Sequence, residues 1–587
     1  MTARLNLLCV IPARGGSKGI PDKNLREVGG VSLVGRAVMS ARAFAREAGL
    51  EAVRIVVDTD AEPIAAEGRA WGAAVPFLRP RELAGDDTPT AESTLALLDR
   101  LERGGDRVDA VVLLQPTSPL RTAADIAACW SRYDARTSPS VISLAATPHP
   151  LELGLHLAPD GSLQWSSDSG GSRRRQDCPA AYWPSGAVYV ISARLLRRER
   201  SFIIPGVTRG VVLPAERSVD VDQAHDLLVA EALLDASPTP AVILGGRGIG
   251  PGHRCFVIAE AGVNHNGSAD LAHRLVDAAA DAGADAVKFQ TFDPDLVVAA
   301  DVPKAEYQIA NTGGHESQRD MLRRLVLARR DFEALYRHAA DRGVLFLSTP
   351  FDDASADFLE ELGVAAFKVP SGEVTNLPFL ARLAAKGRPL LLSTGMSRLT
   401  EVGEAVETVR AHGGPPMALF HCVTNYPAEP VDCNLRAMET MRRAFRLPVG
   451  WSDHTRGLTV SLGAVAAGAE VLEKHFTLDR ALPGPDHAAS LEPAELRELI
   501  ASCRAIEAAR GTGRKVPAPS EAANAALVRR SLHAARELLP GEVLSAGDLV
   551  ALRPGTGIPP GARAGLLGRT VRARVRRGEM LSEDHLA

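Results

Sequence analysis

The chain has 587 residues, 45% of them hydrophobic and 24% charged, with a formal net charge of −4. This length predicts several domains of an ordinary globular kind. The slightly negative charge disfavours a general nucleic-acid binder, which would usually be basic. The seven cysteines include no Cys-x-x-Cys pair, and the N-terminus has no signal pattern, so we predict a cytoplasmic protein without a disulfide framework. The uncharged stretch 457–469 is shorter than the roughly 20 residues of a membrane helix, so no membrane partner is expected.

Residues 1–238 alternate short apolar runs with helical patterns, which predicts an α/β layered domain. The expected strands are Leu5–Ile11, Arg54–Val57, Ala110–Leu114, Ser140–Leu144 and Ala187–Ile191, and the expected helices include Val31–Ala48 and Ala91–Arg103. Polar residues follow several of these strands. In open α/β sheets this is the edge at which ligands bind.

Two breaks divide the chain further. Residues 236–255 contain three prolines and five glycines, so we place a linker at 239–253. A second linker is expected at 513–526. The predicted domains are therefore 1–238, 254–512 and 527–587.

The middle segment contains eight short apolar runs separated by helical patterns, which is the count and size of a (β/α)8 barrel. The runs are Phe256–Ala259, Ala286–Phe289, Val344–Leu347, Ala365–Val369, Pro389–Leu392, Ala418–Phe420, Pro448–Gly450 and Val471–Leu472. One intervening helix, Asp270–Ala282, has Ser268 as a predicted N-cap and Gly283 as a stop signal.

Each predicted barrel strand runs into polar residues at its carboxyl end, where barrel enzymes build their active sites. Three lysines (Lys288, Lys368, Lys474) and three histidines (His421, His454, His475) would converge there with several hydroxyls. Strand ends are also generally polar, so single members of this set can be structural. As a set, they predict an anionic ligand such as phosphate or carboxylate. His454 and His475 could share a divalent metal, and Glu260 and Glu373 are candidate acid–base groups.

The loop after the first strand, Ala13–Asn24, is suited to phosphate but is not a Walker A loop. Ser17-Lys18-Gly19 reverses the Gly-Lys-Ser order of that motif. Its glycines and its cations Arg14, Lys18 and Lys23 could still hold a triphosphate, although a plain basic turn is an alternative. Far downstream, Asp220 and Asp222 share one face of an extended segment and could hold Mg²⁺, unless they form a solvated acidic turn.

Several motifs in residues 1–235 resemble those of CMP-sialic acid synthetases. They are Ile11–Asn24, Arg79-Pro80, Gln115–Arg121, Arg175-Gln-Asp177, Ser185–Tyr189 and Val219–Asp222. The resemblance implies a Rossmann-like nucleotidyltransferase domain that binds CTP and Mg²⁺. It also implies CTP contacts for Arg14, Lys18, Lys23 and Asn24, with Arg14 and Lys23 catalytic. Gln115 would lie near the sugar, Arg79 and Arg175 would lie near nucleotide or sugar carboxylate, and Asp220 and Asp222 would bind Mg²⁺.

Residues 250–587 resemble N-acetylneuraminate (sialic acid) synthases. The motifs are Ile258–Gly267, Ala286–Gln290, Phe367–Glu373, Leu392–Met396, Gly450–Thr455, Glu473–Thr477 and Pro483–His487. The resemblance implies a TIM barrel that condenses phosphoenolpyruvate with N-acetylmannosamine and uses a divalent metal such as Mn²⁺, held by His454 and His475. Glu260, Glu373 and Lys288 would be catalytic. The implied substrate-binding residues are Lys368, Ser371, Ser393, Ser452, Gln290, Asn311, Asn425, Tyr426 and Asp486.

The last sixty residues or so resemble the small β-rich antifreeze-like (SAF) domain that closes these synthases. In the family, the arginine of an Arg-Pro-Gly motif reaches the active site of a partner subunit, and Arg553 is the matching residue. The resemblance therefore implies a homodimer or larger assembly. A surface arginine in a turn is the alternative.

Together these resemblances predict a two-step enzyme that makes a nonulosonic acid and activates it with CTP. The predicted product is CMP-N-acetylneuraminate. Alternatives are a legionaminic-type or other nine-carbon sugar acid, and a chain in which one domain is non-catalytic. An ice-binding protein would not explain two metal-type sites.

Overall fold

A computed structural model of the chain describes residues 5–587 except 51, 86, 148, 151–152, 167–175, 177, 301 and 314–315. The chain divides after Ala509 into two compact units. The first unit contains an open sheet and a closed barrel, and the second contains the C-terminal residues. Within the described residues, we found no helix that combines the length and the apolar character needed to cross a bilayer.

The N-terminal part of the first unit is built on a six-stranded sheet of order β10-β6-β9-β5-β1-β4. Its strands are β1 (Leu7–Pro12), β4 (Val53–Asp58), β5 (Ala110–Leu113), β6 (Ser140–Ala146), β9 (Tyr182–Ser192) and β10 (Arg209–Val212). β9 pairs antiparallel with β5 and β6, whereas β1 pairs parallel with β4 and β5. β10 was not predicted from the sequence, because this edge strand is largely exposed and only two of its four residues, Val211 and Val212, are apolar.

In the described residues of this part, six α-helices and two short hairpins accompany the sheet. The hairpins are β2–β3 (Glu27–Val28, Val31–Ser32) and β7–β8 (Leu155–Leu157, Leu163–Trp165). The helices are α1 (Leu33–Glu47), α2 (Glu62–Ala70), α3 (Thr90–Arg103), α4 (Ala123–Arg132), α5 (Ala193–Glu199) and α6 (Ala224–Ala236). The layered α/β fold predicted from the alternating pattern is confirmed.

The stretch predicted as a linker contains a β-hairpin, β11–β12 (Val242–Leu244, Arg247–Ile249). Gly245 and Gly246 have φ values of 53° and 81°, the left-handed turn conformation that favours glycine. Val242, Leu244 and Ile249 are buried in one cluster with barrel residues such as Phe256 and Ile258, near the start of the first barrel strand. The hairpin therefore covers the amino-terminal end of the barrel and leaves the opposite end as the mouth.

Eight parallel strands close into the predicted barrel. They are β13 (Phe256–Gly262), β14 (Ala286–Thr291), β15 (Leu345–Pro350), β16 (Phe367–Val369), β17 (Leu390–Ser393), β18 (Met417–Cys422), β19 (Val449–Asp453) and β20 (Val471–His475). The surrounding helices are α7 (Ala269–Ala282), α8 (Pro294–Val297), α9 (Glu306–Thr312), α10 (Gln318–Arg323), α11 (Arg329–Asp341), α12 (Asp353–Leu362), α13 (Leu377–Ala385), α14 (Leu399–Ala411), α15 (Ala437–Phe445), α16 (Thr459–Ala466) and α17 (Pro493–Arg510).

Helix α7 begins and ends where its capping residues predict. The Ser268 hydroxyl accepts a hydrogen bond from the backbone N–H of Leu271, and Gly283 ends the helix with a φ of 84°. A serine cap satisfies an otherwise unpaired amide, and a left-handed glycine ends the helix without a steric penalty.

The second unit is small and contains α18 (Ala522–Val528), β21 (Ser531–Ala534), β22 (Leu549–Leu552) and α19 (Arg563–Leu566). β21 and β22 pair antiparallel, and isolated bridges such as Val571 to Leu586 extend the β-structure. Its own apolar cluster includes Leu532, Leu538 and Val575. This is the small β-rich C-terminal domain that the sequence predicted.

Candidate functional site

The mouth of the barrel contains a cavity of about 240 Å³ lined by polar side chains from most of its strands. The lining side chains that bear on chemistry are Glu260, Lys288, Gln290, Thr349, Lys368, Ser371, Ser393, Cys422, Tyr426, Ser452, His454, Glu473, His475 and Asp486. They come together because the strands are parallel and all present their carboxyl ends at this mouth.

Two buried lysines lie at the floor of this cavity and share one carboxylate, Glu473. Lys288 Nζ is 3.4 Å from Glu473 Oε2, and Lys368 Nζ is 3.4 Å from Glu473 Oε1. Burial alone would raise the pKa of Glu473, but attraction to the two lysines outweighs burial and lowers it. With two cations and one anion, this group favours an anionic ligand that would neutralise the second lysine.

Glu260 lies beside the same lysines in a different electrostatic environment. Its Oε1 is 3.1 Å from Lys288 Nζ and accepts a hydrogen bond from Gln290 Nε2 at 3.3 Å, whereas its Oε2 is buried without a partner. Burial raises the pKa of Glu260 despite the attraction of Lys288. Two carboxyl groups in one cavity, one favouring the protonated form and one the ionised form, are suited to acid–base chemistry.

His454 and His475 face each other at the ends of β19 and β20, with ring centroids 5.6 Å apart. His454 Nδ1 donates to the backbone carbonyl of Val423 at 2.6 Å, which leaves the Nε2 lone pair of the neutral ring available. His475 Nδ1 is buried without a hydrogen-bond partner and lies 4.0 Å from Asp486 Oδ2. Burial lowers the pKa of His454 to about 4 and that of His475 well below its ordinary value. Burial therefore favours the neutral form of both rings, which is the form that binds a metal.

A second cavity, of about 390 Å³, lies at the carboxyl edge of the N-terminal sheet. Its lining includes Arg14, Ser17, Lys18, Lys23, Asn24, Arg79, Gln115, Thr117 and Asp222. Lys23 Nζ is 3.1 Å from Asp222 Oδ1, so the basic loop and the acidic segment meet across the cavity. A Cβ on Gly19 would lie 2.7 Å from the Asp222 carbonyl oxygen, so only glycine allows this close approach.

Comparison with known proteins matches three parts of the chain to protein families. Residues 8–150 match a cytidylyltransferase family, residues 275–515 match the NeuB family, and residues 529–587 match the SAF domain. N,N'-diacetyllegionaminic acid synthase from Legionella pneumophila is 48% identical over 57% of this chain and 94% of its own length. The chain belongs to the NeuB family. Its N-terminal region adds a cytidylyltransferase domain, and both are transferase-type enzyme domains.

Two further relatives of this NeuB-family chain extend the comparison. Human N-acetylneuraminate-9-phosphate synthase is 34% identical over 59% of the chain and 97% of its own length. A crystal structure of N-acetylneuraminic acid synthetase from Leptospira borgpetersenii serovar Hardjo-bovis is 34% identical, covers 49% of this chain and 96% of that one, and has a TM-score of 0.45. The family matches and the two relatives compared by sequence, the legionaminic acid synthase and the human enzyme, support a role in nonulosonic acid biosynthesis.

The sequence-predicted residues of the NeuB barrel mostly share its mouth. Two serine hydroxyls hydrogen-bond to the buried charged residues of the cavity. Lys368 Nζ donates to Ser393 Oγ at 2.7 Å, and Ser452 Oγ donates to Glu473 Oε1 at 2.9 Å. Ser371 Oγ accepts from the Gly395 amide at 2.9 Å, and the Tyr426 ring lies 4.1 Å from that of His454.

Four other residues predicted for the synthase site are not among those that line the barrel cavity. Glu373 follows the lining residue Gly372 and accepts a hydrogen bond from Asn376 at 2.6 Å. Asn311 donates to the Pro485 carbonyl at 2.6 Å, and Asn425 is an exposed residue next to Tyr426. In the second unit, Arg553 is an exposed residue directly after β22.

In the N-terminal domain, Arg79 lines the cavity as predicted, whereas Asp220 is not among the residues that line it. Arg79 forms a buried ion pair with Asp58 at 2.8 Å, which anchors it at the cavity wall. Asp220 lies beside Thr117 and next to Val221, whose amide donates to the Thr117 carbonyl. Arg175 lies outside the described residues.

The expectation that all three lysines and all three histidines converge is wrong for Lys474 and His421. Lys474 Nζ pairs with Asp453 Oδ2 at 3.0 Å, and His421 Nε2 contacts the Cys433 carbonyl at 2.9 Å, both outside the cavity. Successive side chains of a strand point to opposite faces, so Lys474 must face away from the mouth if His475 faces it. The same alternation could have identified Glu473, which lies two residues before His475 and which the sequence analysis missed.

Proposed function

We propose that the chain catalyses two consecutive reactions. The barrel would condense phosphoenolpyruvate with a six-carbon amino sugar to give a nonulosonic acid and phosphate. The N-terminal domain would then join that acid to CMP from CTP and release pyrophosphate. The observation that carries the proposal is the presence in one chain of two cavities, each lined by two or more cationic side chains.

In the barrel, we assign Lys288, Lys368, Ser393 and Ser452 to the phosphate and carboxylate of phosphoenolpyruvate. Cations and hydroxyls at the cavity floor support this assignment. Carbon 3 of phosphoenolpyruvate would attack the aldehyde carbon of the open-chain sugar, water would add at carbon 2, and the carbon–oxygen bond to phosphate would break. Glu260, whose pKa burial raises, can exchange a proton at this end of the cavity.

A divalent metal such as Mn²⁺ fits the residues at the rim of the barrel cavity. His454 Nε2 has an available lone pair, and the buried Nδ1 of His475 lacks a partner. Within the described residues, no group of three or more His, Cys, Asp or Glu side chains could hold a metal by itself, so substrate and water would complete its coordination. When bound, the metal would polarise the sugar aldehyde as a Lewis acid.

In the N-terminal domain, we assign Arg14, Lys18, Lys23 and Asn24 to the triphosphate of CTP, with Gln115 near the sugar. The sugar's anomeric hydroxyl would attack the α-phosphate, and pyrophosphate would leave. A Cβ on Gly186 would lie 2.6 Å from Gln115 Oε1 and 3.8 Å from Asp220 Oδ1, so glycine keeps open a cradle between these oxygens. Mg²⁺ held by Asp220 and Asp222 would fit this oxygen-rich edge and would neutralise phosphate charge.

The identity of the sugar acid is the finer part of the proposal. The motifs by themselves favoured N-acetylneuraminate. The chain is 48% identical to an N,N'-diacetyllegionaminic acid synthase but 34% identical to an N-acetylneuraminate-9-phosphate synthase. We therefore favour a legionaminic-type product with two acetamido groups, whose six-carbon precursor would carry both.

The test supplies purified protein with phosphoenolpyruvate, CTP, Mn²⁺, Mg²⁺ and either N-acetylmannosamine or the corresponding diacetamido sugar. We expect release of both phosphate and pyrophosphate and formation of a CMP-sugar, faster with the diacetamido sugar. Phosphate without pyrophosphate would contradict the assignment of the N-terminal domain. Equal rates with the two sugars would contradict the legionaminic assignment and leave the reaction classes standing.

If the two reactions use separate sites, a substitution in one site should remove only the activity of that site. Replacing His475 with alanine removes an imidazole from the barrel rim, so His475→Ala should abolish phosphate release. The same variant should keep CMP transfer to a supplied nonulosonic acid, because no residue of the CTP cavity changes. Parallel assays of phosphate and pyrophosphate measure both. Equal loss of the two activities in a folded variant would contradict two independent sites.

A further inference from the structure

The two walls of the CTP cavity both lead into elements that dock on one helix of the barrel. The basic loop containing Lys23 continues into the hairpin β2–β3. The acidic segment containing Asp222 continues into helix α6. Both the tip of that hairpin and the side of α6 contact barrel helix α15, through Thr440 and Arg443.

Ionic contacts join the three elements at Glu231 of α6. Glu231 Oε1 accepts a hydrogen bond from the backbone N–H of Gly29 at 2.9 Å, and its Oε2 pairs closely with Arg443 Nη2. Arg443 Nε also donates to Asp235 Oδ1 of α6 at 2.9 Å. Glu231 therefore connects the hairpin to α6, and Arg443 connects α6 to the barrel.

The hairpin tip consists of two glycines in the left-handed conformation and lies against α15. Gly29 and Gly30 have φ values of 58° and 74°. A Cβ on Gly30 would lie 2.6 Å from Thr440 Cγ2, and one on Gly29 would lie 3.2 Å from the Arg443 carbonyl oxygen. Since there is no room for a side chain between the tip and α15 without a shift, the position of α15 constrains the position of the hairpin.

The ion pair between Arg443 and Glu231 is partly shielded from solvent. The side chains of Arg443 and Glu231 are 27% and 26% exposed, so water screens this pair less than it would an open surface pair. Across the cavity itself, the loop and the acidic segment are joined by the exposed contact between Lys23 and Asp222. An exposed ion pair contributes little stability by itself. The distance between the loop and the acidic segment therefore depends on the elements that follow them in the chain, the β2–β3 hairpin and α6.

We propose that Arg443, a residue of the synthase barrel, is a positioning residue for the CTP site of the N-terminal domain. It fixes the positions of α6 and the β2–β3 hairpin relative to each other and thereby sets the distance between the phosphate-binding loop and Asp222. The inference rests on the proposed cytidylyltransferase function. It implies that the barrel contributes to nucleotide binding in addition to its own reaction.

The experiment measures CTP binding by isothermal titration calorimetry with Mg²⁺ for the wild type and for Arg443→Met, which keeps length and removes charge. We expect the dissociation constant for CTP to rise about fivefold or more, a coupling typical of two linked sites. The KM for CTP should rise by a similar factor with little change in kcat. Arg443→Lys should restore part of the affinity, since an ammonium group can still pair with Glu231. Phosphate release by the barrel should be unchanged in both variants.

Glu404→Gln is the matched control. It removes an ion pair with Arg42, at 2.7 Å, that also joins the N-terminal domain to the barrel but involves neither wall of the CTP cavity. CTP affinity should be unchanged in this variant. Equal weakening by Glu404→Gln and Arg443→Met would overturn the inference, as would wild-type CTP affinity in Arg443→Met. A wild-type protein that binds no CTP would overturn the proposed function as well, so the two failures are distinguishable.

Discussion

At the scale of single residues, Glu473 partly neutralises the two buried lysines of the proposed anion site when no ligand is bound. Its carboxylate lies between Lys288 and Lys368, at 3.4 Å from each, and Ser452 donates to it. Two buried lysines without an anion would be strongly unfavourable. Glu473 therefore stabilises the empty site and leaves one positive charge for substrate.

Glu473→Gln should lower the free energy of unfolding by about 3 kcal/mol, because it leaves two buried lysines with less compensation. Phosphoenolpyruvate should recover more stability in this variant than in the wild type, since its negative charges replace the missing carboxylate. Urea unfolding with and without phosphoenolpyruvate measures both effects.

Asp453→Asn is the control for that prediction. Asp453 forms the same kind of buried pair, with Lys474 at 3.0 Å, but on the outer face of the barrel wall. We expect a comparable loss of stability that phosphoenolpyruvate does not selectively recover. Equal recovery in both variants would show that the substrate does not replace the Glu473 charge.

At the scale of elements, the barrel strands extend further than their apolar runs predicted. The runs ended before Glu260, Gln290 and His475, yet these residues are hydrogen-bonded members of β13, β14 and β20. The strands continue because backbone pairing with both neighbours does not depend on the side chain. This places the functional side chains on rigid strands, which hold them more precisely than loops would.

Gly450 on β19 should be irreplaceable for barrel closure. A Cβ there would lie 1.8 Å from the Val471 carbonyl oxygen of β20, which no side-chain adjustment can relieve. We expect Gly450→Ala to give little soluble protein or a greatly lowered melting temperature.

Gly463, in helix α16, is the matched control for that substitution. The nearest atom that a Cβ there would meet is Leu435 Cδ1 at 3.5 Å, an ordinary contact. Gly463→Ala should be neutral or should stabilise by up to about 1 kcal/mol, because alanine favours helix. Thermal unfolding of the two variants side by side would contradict this account if both lost similar stability.

At the scale of the whole molecule, we propose that Arg553 completes the barrel site of a partner subunit, as the resemblance of the SAF domain implies. Arg553→Ala and His475→Ala should each abolish synthase activity alone. Mixed heterodimers would combine an intact barrel with an intact partner arginine.

Random mixing of these two variants should then restore about a quarter of wild-type synthase activity, since half of the dimers are mixed and each has one working site. Phosphate release after co-expression or subunit exchange measures this recovery. A mixture as inactive as its components, in a confirmed dimer, would show that Arg553 does not act in trans.

The sequence by itself determined the α/β domain, the eight-stranded barrel, the small β-rich tail and most of the barrel cavity. These follow from apolar periodicity and from motifs in which each residue type has a local meaning. The tertiary structure alone decided that Lys474 and His421 face away from the mouth and that Glu473 lies between two lysines. It also decided that a glycine-rich stretch predicted as a linker contains a hairpin at the amino-terminal end of the barrel, and that Arg443 of the barrel pairs with Glu231 and Asp235 of helix α6. Each of these depends on contacts between residues far apart in the chain, whose distances no local pattern encodes.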